Sequence, residues 1–198
     1  MISFEASAYG PVLGPLLQTD RRRALDEGTP DSRALAALRG LSVEAAFAHA
    51  AAKSGRAPLA DVDMATCCIA GVWLLHDYLD ESHTVSQGID TTSGSFWHAI
   101  MHRRERDFSN AKYWFRHVGH HPVFDLICQR AAKLAAARGH EQIVRRFVSV
   151  GTWDPFAFVD ICQAAVCGLS DAGELCLDIQ QAECELLFDH CYRMALGA

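Results

Sequence analysis

The chain has 198 residues, 50% hydrophobic and 21% charged, with a formal net charge of −6. That length fits one domain, able to bury about 70% of the surface its unfolded form exposes, and no window approaches the roughly 18 uninterrupted apolar residues of a membrane span. The acidic balance excludes a broad phosphate-binding face, so no nucleic-acid partner is expected, and the opening MISFEASAYGPVLG lacks the basic start and apolar core of a secretory signal, which places the chain in the cytoplasm.

Residues 1–30 carry Gly10, Pro11, Gly14, Pro15, Gly28 and Pro30 and read as an irregular arm with one short helix around Leu16 to Leu25. Arg21, Arg22 and Arg23 within it read as a solvated patch. Asp31 or Ser32 caps a helix through Leu38 that stops at Gly40, and Ser42 caps VEAAFAHAAAK, which stops near Gly55. His49 has no acid or histidine one turn away and reads as an ordinary core or surface histidine. Asp61 opens the longest helical run, DVDMATCCIAGVWLLHDYLDESHTVSQ, which ends at Gly88. Its Ala65 to Leu75 portion is apolar on every side and so central to the fold, with Gly71 marking a kink or a close helix crossing.

After the turn GIDTTSG, Ser93 or Ser95 caps SFWHAIMHRRE, and Asp107 or Ser109 caps SNAKYWFRHV, which Gly119 ends. Pro122 suits the first turn of a helix running to about Arg138, with Gly139 as its stop. HEQIVRRFVSV reads as a helix in which Val148 to Val150 are the part open to an extended form. Asp154-Pro155 opens FAFVDICQAAVCG, and ELCLDIQQAECELLFDHCYRMALG reads as a long amphipathic helix. No run alternates as strands do, so the expectation is an all-α fold, a single-domain bundle of about eight helices over residues 1–198. The eight cysteines include no C-x-x-C pair and read mostly as small buried hydrophobes.

The stretch from Val72 to Gly119 holds half of the ten histidines and three of the four tryptophans. On a continuous helix, His76, Asp80, His83 and Gln87 share one side, in the sector begun by Ile69, Val72 and Trp73, as the wall of a buried pocket does. His98, His102 and Glu105 repeat the spacing but lie opposite Phe96, Trp97 and Ile100, the arrangement of an amphipathic helix with its polar side to water. The first wedge is therefore the stronger signal.

The run from His76 to Gly119, especially LDESHTVSQ, GSFWHAIMHRRE and FSNAKYWFRHVG, together with HPVFD at His121 to Asp125 and the closing ECELLFDHCYRMALG, resembles a family of uncharacterised helical proteins. The resemblance covers about a third of the chain. It implies a shared fold but no reaction.

A mixed histidine and acid cluster can satisfy itself by hydrogen bonding, coordinate a metal, or move protons on a ligand. For a divalent metal, His98 and His102 at i, i+4 chelate from one helix, and His76 with Asp80 or His83 completes the set of four. Without a metal, His76 or His83 acts as acid or base with Asp80 orienting an imidazole and Glu105 in the same cluster as His98 and His102. Arg103 or Arg104 then binds an anionic group of a small-molecule ligand, and Asn110 and Tyr113 offer neutral hydrogen bonds. Arg104 has a structural alternative, since it falls on the apolar side of its helix and pairs there with Asp77 or Glu81. His117, His120 and His121 sit at a helix junction and read as structural. No H-E-x-x-H, G-x-S-x-G or C-x-x-C-H is present. Three readings stand: a small-molecule enzyme using the cluster, a non-catalytic ligand or metal binder, and a helical scaffold with a structural polar core.

Overall fold

A computed structural model describes residues 4–54, 59–145, 148–149 and 151–198. They form eleven α-helices: α1 (Gly10–Leu17), α2 (Leu35–Arg39), α3 (Val43–Ser54), α4 (Val62–Leu75), α5 (Leu79–Ser86), α6 (Thr92–Arg104), α7 (Phe108–Val118), α8 (Phe124–Arg138), α9 (Glu141–Val144), α10 (Pro155–Val166) and α11 (Gly173–Leu196). The only strands among the described residues are β1 (Val148–Ser149) and β2 (Thr152–Trp153), a minimal antiparallel hairpin with Val148 opposite Trp153. The fold is all-α, as its capped apolar segments predict. Its helices outnumber the expected eight, in part because the long run from Asp61 is broken.

The break falls at His76–Tyr78 and decides where the site forms. His76 caps the C-terminus of α4, and Asp77 takes a left-handed backbone (φ 62), a conformation that a short polar side chain tolerates better than a bulky one. Arg104 of α6 holds the break. Its Nη1 donates to the Leu74 carbonyl at the helix end (2.9 Å), which also accepts the Asp77 amide (3.2 Å), and its Nη2 donates to Asp77 Oδ1 (2.5 Å). Gly28 lies so close that a Cβ there would come within 2.3 Å of the Asp77 carboxylate carbon. The continuous helix expected through Gly88 is thus two helices, and the shared face computed for His76, Asp80 and His83 does not exist.

α6 is the second departure. Every residue from Ser93 to Arg104 is buried, so this helix is not an outer one with a wet face but the centre of the bundle, packed on α4, α5 and α7. Thr91, rather than Ser93 or Ser95, caps it, accepting from the Gly94 amide at 3.0 Å. The crossing with α4 is close because Gly71 has no side chain: a Cβ there would lie 2.7 Å from the Trp97 ring. Apolar burial around α4, α6 and α11 forms one continuous core.

The arm is more ordered than its glycines and prolines suggest. A 3₁₀ turn (Ala6–Tyr9) leads into α1, which starts at Gly10 rather than near Leu16 because Pro11 occupies the first turn, where its missing N–H is not needed. Tyr9 packs edge-on against Phe188 and Tyr192 of α11. The arginine run is not a solvated patch. Arg21 pairs with Glu185 (2.8 Å), Arg22 with Asp178 (2.8 Å) and Arg23 with Asp77 (3.5 Å), clasping the arm to α11 and to the α4 break.

Neither Asp31 nor Ser32 caps α2, whose N-cap is Ala34 with no side-chain bond, but the caps expected of four other helices are observed. Asp61, Ser42, Asp107 and Asp154 each accept a first-turn amide, and Gly119 and Gly139 end α7 and α8 with positive φ. α8 starts at Phe124, two residues past Pro122. The helix expected over HEQIVRRFVSV is only α9, followed by β1; Arg146, Phe147 and Val150, like the expected stop at Gly55, lie outside the described residues. Of the cysteines, Cys67, Cys68, Cys128, Cys162, Cys176 and Cys191 are buried and Cys167 is exposed. No described helix is long and apolar enough to cross a membrane.

Candidate metal centre

Breaking the helix at Asp77 turns α5 so that His83 meets His98 and His102 of α6. The His83 and His98 rings sit edge to face with centroids 4.7 Å apart, His83 and His102 do so at 5.2 Å, and His98 and His102 stack at 4.7 Å. One nitrogen from each ring lies within 4.8 Å of the other two, so this group is geometrically able to bind a metal ion. Bonds of about 2.0–2.1 Å to a tetrahedral ion require nitrogens about 3.3 Å apart, a contraction within the reach of small side-chain rotations.

His98 and His102 are buried, and His83 is half-buried. At 2% exposure, neither ring nitrogen of His98 has a hydrogen-bond partner in the described structure. Leaving a buried polar atom unpaired costs about 1–3 kcal/mol. Burial, followed by the neighbouring His102 and His83, pushes the His98 pKa down to about 3. Burial also lowers that of His102, against an opposing pull from Glu105. Both imidazoles are therefore uncharged at neutral pH, the form in which histidine ligates metals.

The surroundings orient these rings. His102 Nδ1 donates to Glu105 Oε2 at 3.0 Å, which leaves Nε2 with its lone pair, the relay by which metal-ligating histidines are commonly fixed. Trp114 of α7 lies flat on His98, with centroids 4.0 Å apart and planes inclined by 16°. The Asn110 amide nitrogen lies 3.1 Å from His102 Nε2 and 3.4 Å from Nδ1. Asn110, Trp114 and His117 share the i, i+4, i+7 spacing on α7, so the periodicity that singled out the histidine wedges also marks this wall.

No protein-family model matches the chain, and neither a curated protein nor a solved structure is detectably similar to it. The functional reading rests on the geometry.

That geometry separates the residues singled out in the sequence. His76 stands apart from the trio: its Nε2 donates to the Leu16 carbonyl (2.9 Å) and its Nδ1 lies 3.8 Å from Asp31. A ring nitrogen carrying that proton is not a metal ligand. Asp80 and Gln87 are exposed. Arg103 and Arg104 are buried in pairs with Glu183 and Asp77, both at 2.5 Å, rather than turned toward a ligand, and the structural alternative for Arg104 is the observed one. Tyr113 is largely exposed and packs on His117. Beside the trio, Glu105 also lines an open cleft of about 430 Å³ with Glu27, Asp77, Tyr78, Asp80 and Glu81.

A second constellation resembles a nucleophilic dyad but has the wrong polarity. His121 Nδ1 accepts the Val123 amide (3.3 Å), so Nε2 carries the proton and donates it toward Ser93 Oγ (3.0 Å). A base able to activate Ser93 needs the opposite tautomer. Both residues are buried, and the pair ties α6 to the turn before α8.

Proposed function

We propose that His83, His98 and His102 hold one divalent transition-metal ion and that the protein is an enzyme using it on a small molecule admitted through the neighbouring cleft. The observation that carries this reading is His98: a buried imidazole with both nitrogens unpartnered, set between two other imidazoles within ligating distance. Three nitrogen ligands suit zinc and its neighbours, and three protein ligands rather than four are the usual complement of catalytic zinc. Such an ion, when bound, polarises a ligand oxygen or lowers the pKa of a bound water.

The chain's own groups support that use. Glu105 joins the centre to the cleft, since it both accepts from His102 and lines the cavity. Among the described residues, Glu27, Asp80 and Glu81 have no cationic partner, so the cleft favours neutral or cationic molecules over anions. The internal pairing of Arg103 and Arg104 points the same way.

The stacking of His98 on Trp114 favours a second reading, in which the rings form a metal-free polar core. Thermal denaturation after metal stripping, with and without added Zn²⁺, separates the two. A ligand present at 100 times its Kd adds about 2.7 kcal/mol, or roughly 5–10 °C in Tm for a chain of this size. The metal reading expects that gain in the wild type and its loss in His98→Gln. No gain in the wild type would remove it and leave the polar core.

A further inference from the structure

Trp97 and Arg23 each keep one buried N–H without a hydrogen-bond partner among the described residues, the indole Nε1 of one and the guanidinium Nε of the other. Both line a small space of about 30 Å³ enclosed by the arm, α4, α6 and α11, with Gly71, Leu74 and Gln180 among its walls. The edge of the Trp97 ring that meets Gly71 includes Cε2, the carbon bonded to Nε1, so the unpaired indole N–H stands at this wall. Arg23 is loosely held: its side-chain bonds to Asp77 and Thr19 are long, at 3.5 and 3.4 Å. About 10–15 Å³ admits one water, so the space takes a guest of a few atoms.

The unpaired groups are all donors, since an indole and a guanidinium offer N–H and no acceptor. Gln180 has its Oε1 engaged by Arg103 (3.4 Å), and its Nε2 donates to the Arg23 and Ala24 carbonyls. Burial pushes the thiol of Cys184, another wall residue, up to about 12, so it carries no charge. The ionised groups are unbalanced in the same direction. Arg21, Arg23 and Arg104 line the space, whereas their carboxylate partners among the described residues are Glu185 and an Asp77 shared by Arg23 and Arg104. Three cations against two anions leave one positive charge, which a water does not neutralise and a monoanion does.

We propose that this space binds a small carboxylate, its oxygens accepting from Trp97 Nε1 and Arg23 Nε and its short aliphatic tail lying in the adjoining hollow. That hollow, also about 30 Å³, shares Gly71, Leu75 and Trp97 as walls and extends to the apolar Phe4, Leu17 and Phe188. Arg21, Gln181 and Glu185, which also line it, bond one another. Chloride would satisfy the donors but make no use of the apolar walls, which favour a tail. Because one donor belongs to the arm and the other to α6, the guest ties the arm to the centre of the bundle. None of His83, His98 and His102 takes part, so this site stands or falls apart from the metal centre.

The test is calorimetric titration of the wild type, Arg23→Gln and Trp97→Phe with sodium propionate, alongside sodium chloride and 1-propanol. The wild type should take up one propionate per chain and bind the other two far more weakly. Losing one hydrogen bond to the charged guest should weaken propionate binding by about 10-fold or more in each variant. Chloride bound as tightly as propionate would make the occupant an inorganic anion and overturn the carboxylate, and equal binding of 1-propanol would make the space a merely apolar one. No propionate uptake by the wild type, or undiminished uptake by Arg23→Gln, overturns the site itself. Should Trp97→Phe not fold, Arg23→Gln decides alone, since Arg23 lies on the arm and not in the core.

Discussion

His98 and Trp114 form the closest ring pair of the candidate centre, lying nearly parallel with centroids 4.0 Å apart across the α6–α7 interface. An indole so placed reports on whatever His98 binds. Titrating Cu²⁺, a strong fluorescence quencher, into the metal-free protein should lower tryptophan emission up to one equivalent. In Trp114→Phe that quenching should be much smaller, because the other three tryptophans, Trp73, Trp97 and Trp153, are buried elsewhere in the core. Equal quenching in the two proteins would place the bound ion away from His98.

The depressed histidines give the fold an acid-sensitive window. Burial holds His98 and His121 near a pKa of about 3 and lowers His102, whereas in the unfolded chain an imidazole titrates near 6.5. Between those values the unfolded state binds protons that the folded state does not, so stability is complete above about pH 6.5 and falls as the pH drops toward 3. His98→Gln removes one such group. Its Tm should therefore fall less steeply than that of the wild type between pH 6.5 and 4; an identical slope would mean that His98 is not held neutral by the fold.

The all-α architecture was legible because its signals are local. Asp61, Asp107 and Asp154 announce helix starts, Gly119 and Gly139 announce stops, and none depends on distant contacts. The site was legible in composition but not in arrangement. His83, His98 and His102 were all singled out, yet the helical wheel joined His83 to His76 and Asp80 because nothing in the sequence near Asp77 marks a break. The residue has neither glycine nor proline beside it, and its left-handed turn is stabilised by Arg104, 27 positions further on. The wet face assigned to His98 and His102 failed for a similar reason: burial of α6 is imposed by α5 and α7, not by its own pattern.

Arg103 and Glu183, each 0% exposed, form an ion pair in the core, with Arg103 also lying over the Phe158 ring. Glu183→Gln should destabilise the protein by about 3–5 kcal/mol, because it leaves a buried guanidinium without its counter-charge. The double variant Arg103→Met with Glu183→Leu should recover most of that loss, since apolar residues of similar volume need no partner. Urea denaturation midpoints measure both. A stable, unchanged Glu183→Gln protein would show that Arg103 finds another anion.

The most direct test of the central claim is anomalous diffraction from crystals of the metal-stripped protein soaked in Zn²⁺, recorded on either side of the zinc absorption edge. The three-imidazole centre requires one edge-dependent peak about 2.0–2.1 Å from a ring nitrogen of each of His83, His98 and His102. No peak among these rings, or zinc bound only at the surface carboxylates of the cleft, would contradict it.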